Sequence, residues 1–349
     1  MKQHYAVLDG LRGVAAFVVL AFHIVQQSST TALAYASYAV DFFYVLSGFV
    51  VALAYESKLE RGMSFRQFMT VRLVRLYPLI FVGLALGVTL AVLSWVVTGA
   101  PALSGIAAAA FLGLLLLPSY VFPQWATAFP FNMAAWSLTF EVAVNIVYAL
   151  IARYLTTPRL CVITAISAVA LVALGVLKGT FLYGNDQAGF AYGFIRVMFP
   201  FFAGVLLFRF KPTVRPSTLT SVVLLVLLAI VLLLPIARNV GIALGLVLVV
   251  MPMIVWVGAA VEPSPGMSRF CLIIGQLSYP IYILHGPLLR AGAEVKTRLG
   301  LAGLEVIAIN VALFFAVTLF AYLALKLFDE PARAWLGRYL RRSTLTANV

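Results

Sequence analysis

The stretch Tyr77–Thr98, YPLIFVGLALGVTLAVLSWVVT, contains no Asp, Glu, Lys or Arg and is long enough to cross a bilayer as a helix. Other long apolar runs lie at about 8–26, 36–55, 134–153, 160–177, 190–208, 217–235, 239–257, 270–289 and 303–327. These runs are continuous and do not alternate with polar residues, which favours helices that satisfy their own backbone hydrogen bonds. The sequence therefore predicts an all-α, polytopic transmembrane helical bundle with about ten spans.

The composition excludes an ordinary soluble domain. Hydrophobic residues make up 64% of the 349 residues and charged residues only 10%, with a mean hydropathy of +1.07, whereas soluble domains are about 45–50% apolar. The net charge of +13 falls in short segments between the apolar runs. This placement indicates the positive-inside bias of membrane proteins, with membrane lipid and not nucleic acid as the expected partner. A basic mouth that binds an anionic cofactor is compatible with the same pattern.

An eleventh run, about 102–118, is rich in Ala and Leu and ends at Pro118. If it crossed the membrane, every later basic loop would change sides. With ten spans and a cytoplasmic N-terminus, 18 of the 24 Lys and Arg residues lie on the cytoplasmic side and 5 on the outer side, while Arg196 lies within a span. We therefore expect 102–118 to be re-entrant or interfacial and both termini to be cytoplasmic. Residues 1–335 would form the membrane domain and 336–349 a short basic tail.

Two ionisable residues lie in the first span, where a charge is costly. Arg12 and His23 are eleven positions apart, which places them on one face of a helix and about 16 Å apart along its axis. Arg12 alone fits a snorkelling anchor, and His23 alone fits a packing residue. Because imidazole exchanges protons near pH 7, a histidine in this position is also a candidate general base.

Six motifs occur in order along nearly the whole chain. They are residues 8–13 (LDGLRG) followed by His23, 41–49 (DFFYVLSGF), 72–78 (RLVRLYP), 136–141 (WSLTFE), 277–287 (LSYPIYILHGP) and 330–333 (EPAR). Together they resemble the signatures of acyltransferase family 3, in its stand-alone form without an appended hydrolase-like domain. The resemblance implies an O-acyltransferase of the bacterial cytoplasmic membrane. It would move an acyl group from acyl-CoA, with acetyl-CoA as the expected donor, to a hydroxyl group.

The resemblance also implies roles for individual residues. His23 would be the general base, and Asp41 would orient its imidazole, as a carboxylate does in a hydrolytic triad. Asp41 fits equally well a carboxylate stabilised at a helix N-terminus. Arg72 and Arg75, joined by Arg12, would bind the phosphates of coenzyme A. The alternative for Arg72 and Arg75 is a basic cluster beside lipid head groups.

The other polar residues within spans have two interpretations each. Ser137 and Glu141 lie four apart on one helical face, where they would bind the acceptor or form a Glu–Arg pair with Arg196. A second polar stripe, at positions i, i+4 and i+7, consists of Ser278, Tyr282 and His285. This stripe would line the substrate pathway or join helices through hydrogen bonds.

The acceptor and the possible partners are less specified. A Gly follows His285, where family members often carry an aromatic residue, and 143–145 is less polar than is common, which bears on the acceptor more than on the reaction. A hydroxyl of a surface or lipid-linked glycan is expected, and a small hydrophobic acceptor is an alternative. Cys161 and Cys271 lack metal-site spacing, so no metal is expected. The oligomeric state stays open, and a transporter or flippase with a proton path through the buried Arg, Glu and His is the competing function.

Overall fold

The computed structural model describes residues 4–26, 33–235 and 238–346, and this part of the chain is mostly helical. The α-helices in chain order are α1 (Ala6–Gln26), α2 (Ala39–Glu60), α3 (Phe65–Thr98), α4 (Leu103–Leu114), α5 (Ala135–Ile151), α6 (Thr157–Lys178), α7 (Tyr192–Arg209), α8 (Thr218–Leu232), α9 (Val240–Gly245), α10 (Met251–Ala259), α11 (Pro265–Leu299), α12 (Leu304–Ala324) and α13 (Glu330–Thr346). π-Helical turns at Leu246–Val250 and Leu325–Asp329 join α9 to α10 and α12 to α13. The predicted all-α architecture is confirmed.

Short non-α elements mark the ends of the bundle. A 3₁₀ turn, Ala34–Tyr38, leads into α2, and another, Ala152–Tyr154, follows α5. The strands β1 (Arg215–Pro216) and β2 (Val261–Glu262) form a two-residue parallel ladder after α7 and α10. We call the end of the bundle that holds this ladder and the start of α1 the inner end, following the charge bias, and the opposite end the outer end.

Two pairs of parallel helices approach closely at glycines. On α1 and α11, a methyl group built on Gly13 would lie 2.6 Å from the Ile274 side chain. On α2 and α7, a methyl group on Gly48 would overlap the carbonyl oxygen of Phe201, and one on Gly204 would overlap that of Val45. Small residues of this kind let helices pack tightly in lipid, where burial of apolar surface gives little driving force. These two helix pairs, α1 with α11 and α2 with α7, carry most of the polar side chains described below.

Nine helical segments within the described ranges are long and apolar enough to cross a membrane. They correspond to nine of the ten predicted spans. The tenth, 217–235, contains α8, which has only 15 residues and a length of about 22 Å. It still crosses the bundle, because it begins beside β2 at the inner end and also packs against the turn 34–38 at the outer end. The chain is therefore an integral membrane protein that crosses the bundle ten times within the described residues.

Helix α4 lies in the eleventh apolar run and does not cross. Its 12 residues span about 18 Å, well short of a hydrocarbon core of about 30 Å. Ile106 and Ala109 of α4 cluster with Ala91 of α3 near the outer end. This placement agrees with the expected re-entrant or interfacial segment.

Two helices are longer than the predicted spans. α3 begins at Phe65, twelve positions before the predicted start, and is capped by Ser64, whose side chain accepts a hydrogen bond from the Gln67 amide. α11 continues to Leu299, ten residues beyond the end of the predicted span at about 289. Hydropathy identifies only the part of each helix that lies in the hydrocarbon. Helical turns that contain polar residues continue both helices beyond that part.

The described chain begins and ends at the same end of the bundle. α13 packs against α3 and against the π-helical turn at Leu325–Asp329, and α3 begins at the inner end, where its Arg72 and Arg75 line a cavity together with the start of α1. This arrangement is consistent with the prediction that both termini are on one side. Residues 336–346 of the predicted basic tail continue α13 as a helix, and 347–349 lie outside the described residues.

Candidate functional site

A cavity of about 280 Å³ opens at the inner end between α1, α2, α3, α5 and α11. We call it the inner cavity. It contains all three arginines that the sequence predicts for the phosphates of coenzyme A, namely Arg12, Arg72 and Arg75. The structure thus brings together residues from α1 and α3 that are about sixty positions apart in the chain.

Arg12 is held in place by three partners. Its Nε donates to Ser278 Oγ at 2.9 Å, and its Nη2 donates to Asp9 Oδ1 at 2.9 Å and to the carbonyl oxygen of Gly275 at 3.1 Å. Asp9 also accepts from His4 at 2.9 Å. Ser278 therefore joins α11 to α1 through a hydrogen bond and also lines the inner cavity, as both interpretations of the polar stripe predict. Asp9 is a partner that the sequence analysis did not single out.

The Arg72 side chain is paired with Glu141 and is not presented to solvent. Arg72 is 4% exposed, and its Nη2 donates to Glu141 Oε1 at 2.6 Å. Ser47 Oγ donates to the same oxygen at 2.9 Å. The predicted pairing of Glu141 with Arg196 is wrong, because Glu141 pairs with Arg72 and Arg196 pairs with Asp41. Arg75 differs from Arg72: it is exposed and has no carboxylate within ion-pair distance in the described part of the chain.

Asp41 has a different partner from the one predicted. It is 0% exposed, and both of its oxygens accept hydrogen bonds from Arg196, at 2.9 Å from Nε and 2.7 Å from Nη2. Arg196 also donates to the carbonyl oxygens of Ser37 and Tyr183. A bidentate pair of this kind links α2 to α7, and Asp41 does not line the cavity that contains His23. The structure therefore assigns Asp41 and Arg196 to the scaffold and corrects the triad-like expectation.

Asp41→Asn is expected to destabilise the protein by about 3–5 kcal/mol, because it leaves the Arg196 charge buried and unpaired. The measurement is thermal unfolding of purified protein in one detergent. Arg298→Ala is the matched control, since the Arg298–Glu294 pair is 63% and 62% exposed and such pairs contribute at most about 1 kcal/mol. Equal melting temperatures for Asp41→Asn and the wild type would contradict the scaffold assignment.

A second cavity, of about 350 Å³, lies at the outer end and is lined by His23 and His285. We call it the outer cavity. The two imidazole rings are stacked, with centroids 5.0 Å apart and planes inclined by 22°. His23 Nδ1 lies 3.2 Å from Gln26 Oε1. The only two histidines predicted within spans thus come together, which neither position alone indicates.

The orientation of the His285 ring defines its tautomer. Nδ1 lies 2.6 Å from the carbonyl oxygen of Tyr282 and 3.2 Å from that of Ile281. Because a carbonyl oxygen only accepts, Nδ1 carries the proton and donates, which leaves the neutral Nε2 as a proton acceptor. His285 therefore presents an unprotonated nitrogen on the edge of the ring away from its own helix backbone.

Tyr282 lies between the two cavities. It lines the inner cavity, its OH is 2.7 Å from Ser137 Oγ, and its ring centroid is 5.9 Å from that of His285. Tyr44 OH donates to the Ser137 carbonyl oxygen at 3.1 Å. We call the hydrogen-bonded pair Ser137 and Tyr282 the partition, because both line the inner cavity and the Tyr282 ring lies beside that of His285. Tyr44 is another member that the sequence analysis did not select.

A proline in α11 adds a further link near the histidines. Pro287 has no amide hydrogen, so the Ile283 carbonyl oxygen lacks its usual helical partner. Asn132 Nδ2 donates to that oxygen at 2.9 Å. This contact attaches the loop before α5 to α11 and fixes the wall of the outer cavity.

The chain is similar to one protein family and to two individual proteins. Residues 5–326 match a family model described as an acyltransferase domain. Protein 2 in the picA locus of Rhizobium radiobacter is 35% identical over 181 residues, covering 49% of this chain and 94% of that protein. The putative membrane-bound transacylase BcsY of Komagataeibacter xylinus is 26% identical over 292 residues, covering 80% of this chain and 72% of that protein. No solved structure gives a significant match.

Proposed function

Because the chain belongs to acyltransferase family 3 and is a membrane acyltransferase, we propose that it transfers an acyl group from acyl-CoA in the inner cavity to an acceptor hydroxyl in the outer cavity. The observation that carries the proposal is the pair of cavities at opposite ends, one with three arginines and the other with two stacked histidines. The arginines suit a donor rich in phosphate, and the histidines suit a hydroxyl that must lose a proton.

The donor side favours a coenzyme A thioester with a short acyl group. Arg75 is exposed at the inner cavity and binds a phosphate, while Arg12 lies deeper, beside Ser278. Ser137 and Tyr282, which also line the inner cavity, are hydrogen-bonded to each other. A long acyl chain would have to pass this partition, whereas an acetyl group needs little space, so acetyl-CoA is the proposed donor.

The proposed acyl transfer needs only the thioester, the acceptor hydroxyl and the histidines of the outer cavity. His23 removes the proton from the acceptor hydroxyl, whose oxygen attacks the thioester carbonyl carbon. A C–O bond forms, the C–S bond breaks, and the thiolate of coenzyme A leaves and takes up a proton from His23. His285, whose Nδ1 hydrogen is held by the Tyr282 carbonyl oxygen, stacks on the His23 ring and positions that imidazole for the hydroxyl.

The partition must open for this transfer. Arg12 and His23 are eleven residues apart on α1, about 16 Å along the axis, and line different cavities. The thioester therefore advances past Tyr282 before it meets the acceptor. A closed partition in the resting state keeps water in the outer cavity away from the thioester.

We propose a surface or lipid-linked glycan as acceptor and the bacterial cytoplasmic membrane as the location, with the inner end facing the cytoplasm. The two bacterial relatives and the basic inner end support this placement. The competing transporter needs ionisable groups free to relay protons. Instead, buried charges are paired with one another, Asp41 with Arg196 and Glu141 with Arg72.

Purified protein in lipid nanodiscs, given acetyl-CoA and a surface glycan, is expected to produce free coenzyme A thiol and ester-linked acetyl groups in equal amounts. Thiol release is followed with a chromogenic reagent and the ester by mass spectrometry. In sealed vesicles of inside-out orientation, acetyl-CoA added outside should be used, whereas in right-side-out vesicles it should not. Thiol release without acetylated glycan, or no thiol release at all, would contradict the proposed reaction.

A further inference from the structure

The outer cavity carries a fixed positive charge that the proposed chemistry does not use. Arg290 lines this cavity, five residues after His285 on α11. Its Nη1 donates to the carbonyl oxygen of Pro130 at 3.2 Å, and its guanidinium carbon lies 5.2 Å from the centre of the Trp125 ring. The loop before α5 thus holds this side chain at two points. A guanidinium has five N–H donors, so most of them remain for a ligand.

The described residues that line the outer cavity include no Asp or Glu. Glu294, four residues after Arg290 on α11, acts on Arg290 electrostatically, but it accepts a hydrogen bond from Arg298 at 2.8 Å and does not line the cavity. In the neighbouring loop, Asp186 accepts from the Gly189 amide at 2.6 Å and does not line the cavity. An anionic ligand would therefore complete the electrostatics of this site.

The loop that holds Arg290 is itself well anchored. The Gln187 side-chain amide donates to the carbonyl oxygens of Ser119, Phe122, Trp125 and Thr127. The Gln187 backbone amide donates to the Ala126 carbonyl oxygen at 2.9 Å. Arg290 thus contacts a loop whose backbone is fixed, which makes its position that of a preorganised binding group.

The spacing of Arg290 from the histidines sets a distance between two groups of the ligand. Arg290 follows His285 by five residues on α11, which separates their Cα atoms by about 7.5 Å along the helix axis, and both residues line the outer cavity. Phe129 and Phe131 supply aromatic surface between the loop and the helix. These features suit a sugar ring that carries the acceptor hydroxyl on one side and an anionic substituent on the opposite side or on the neighbouring sugar.

We propose that the acceptor is an anionic glycan, in which a carboxylate or phosphate lies within about one sugar unit of the acylated hydroxyl and is bound by Arg290. This inference rests on the proposed function, because it takes the outer cavity as the acceptor site. It names the substrate class of that site. It also assigns specificity to a residue outside the six motifs quoted for the family resemblance.

Binding is tested first, without turnover. The probes are a glucuronic acid disaccharide with its methyl ester, which removes only the charge, and glucose 1-phosphate with glucose. Wild-type protein in phosphatidylcholine nanodiscs should bind each anionic probe about tenfold more tightly than its neutral counterpart. Arg290→Gln should reduce this preference to about onefold, and Lys178→Gln, a charge-matched change elsewhere, should retain it. The two probe pairs distinguish carboxylate from phosphate as the source of the charge.

The outcomes separate this inference from the proposed reaction. Equal binding of charged and neutral probes by the wild type, or a preference that survives in Arg290→Gln, would overturn the anionic acceptor. A preference that disappears when phosphatidylglycerol is added to the nanodiscs would show that Arg290 binds lipid phosphate and would also overturn it. Selective binding combined with no ester formation would instead support the anionic site and contradict the acyltransfer at it.

Discussion

His23→Ala is expected to lower the rate of acyl transfer by about 10²–10⁴-fold, the range that a positioned general base contributes. The substitution removes the imidazole that lines the outer cavity and stacks on His285. The KM for acetyl-CoA should change little, because the donor arginines line the other cavity. The measurement is the initial rate of ester formation in nanodiscs at saturating donor, with acceptor varied.

Two controls make the His23 result specific. The variant should elute from size-exclusion chromatography like the wild type, because His23 lines a cavity and its side-chain hydrogen bond within the described residues is the one to Gln26. Added imidazole should restore part of the rate, as expected when a missing base is replaced from solution. A rate within threefold of the wild type, in correctly folded protein, would show that His23 is not the base. In that case His285 Nε2 is the remaining imidazole nitrogen of the outer cavity.

The sequence predicts the spans and the position of Arg12 relative to His23, because both depend on local periodicity. The two residues lie on one helix and line cavities at its opposite ends, as an axial separation of about 16 Å requires. The sequence does not predict which residues pair with the buried charges. Asp41, Glu141, Arg72 and Arg196 are all recognisable as costly, but which carboxylate meets which guanidinium depends on which helices are neighbours.

The same reason explains what the sequence misses in the outer cavity. His23 and His285 are separated by most of the chain, and their stacking follows from the close parallel packing of α1 and α11 at glycines. Arg290 falls in a segment that hydropathy assigns to a loop, because polar residues end the apolar run at 289. In the structure that segment is the last part of α11, which places Arg290 on the cavity wall.

Arg75→Ala is expected to raise the KM for acetyl-CoA by about 10–100-fold, since a charge-assisted hydrogen bond contributes about 1.5–3 kcal/mol. Arg75 is the informative choice among the three arginines. Arg72 is 4% exposed and pairs with Glu141, so its removal would leave a carboxylate without its cation and disturb the fold. Arg75 is exposed and lines the inner cavity, so its loss would remove the proposed phosphate contact without leaving a described carboxylate unpaired.

The donor itself supplies the sharpest control for Arg75. Acetyl-pantetheine has the thioester but lacks the nucleotide phosphates, so its KM should be nearly the same for Arg75→Ala and the wild type. Arg66→Ala removes an exposed charge from the same helix, outside the cavity lining, and should leave the KM for acetyl-CoA within about twofold. If Arg75→Ala raises both KM values equally, the side chain shapes the cavity and does not bind phosphate. If it raises neither KM, the phosphates bind elsewhere in the cavity. Arg12 is then the remaining arginine to test, because it pairs with Asp9 and Ser278 and not with Glu141.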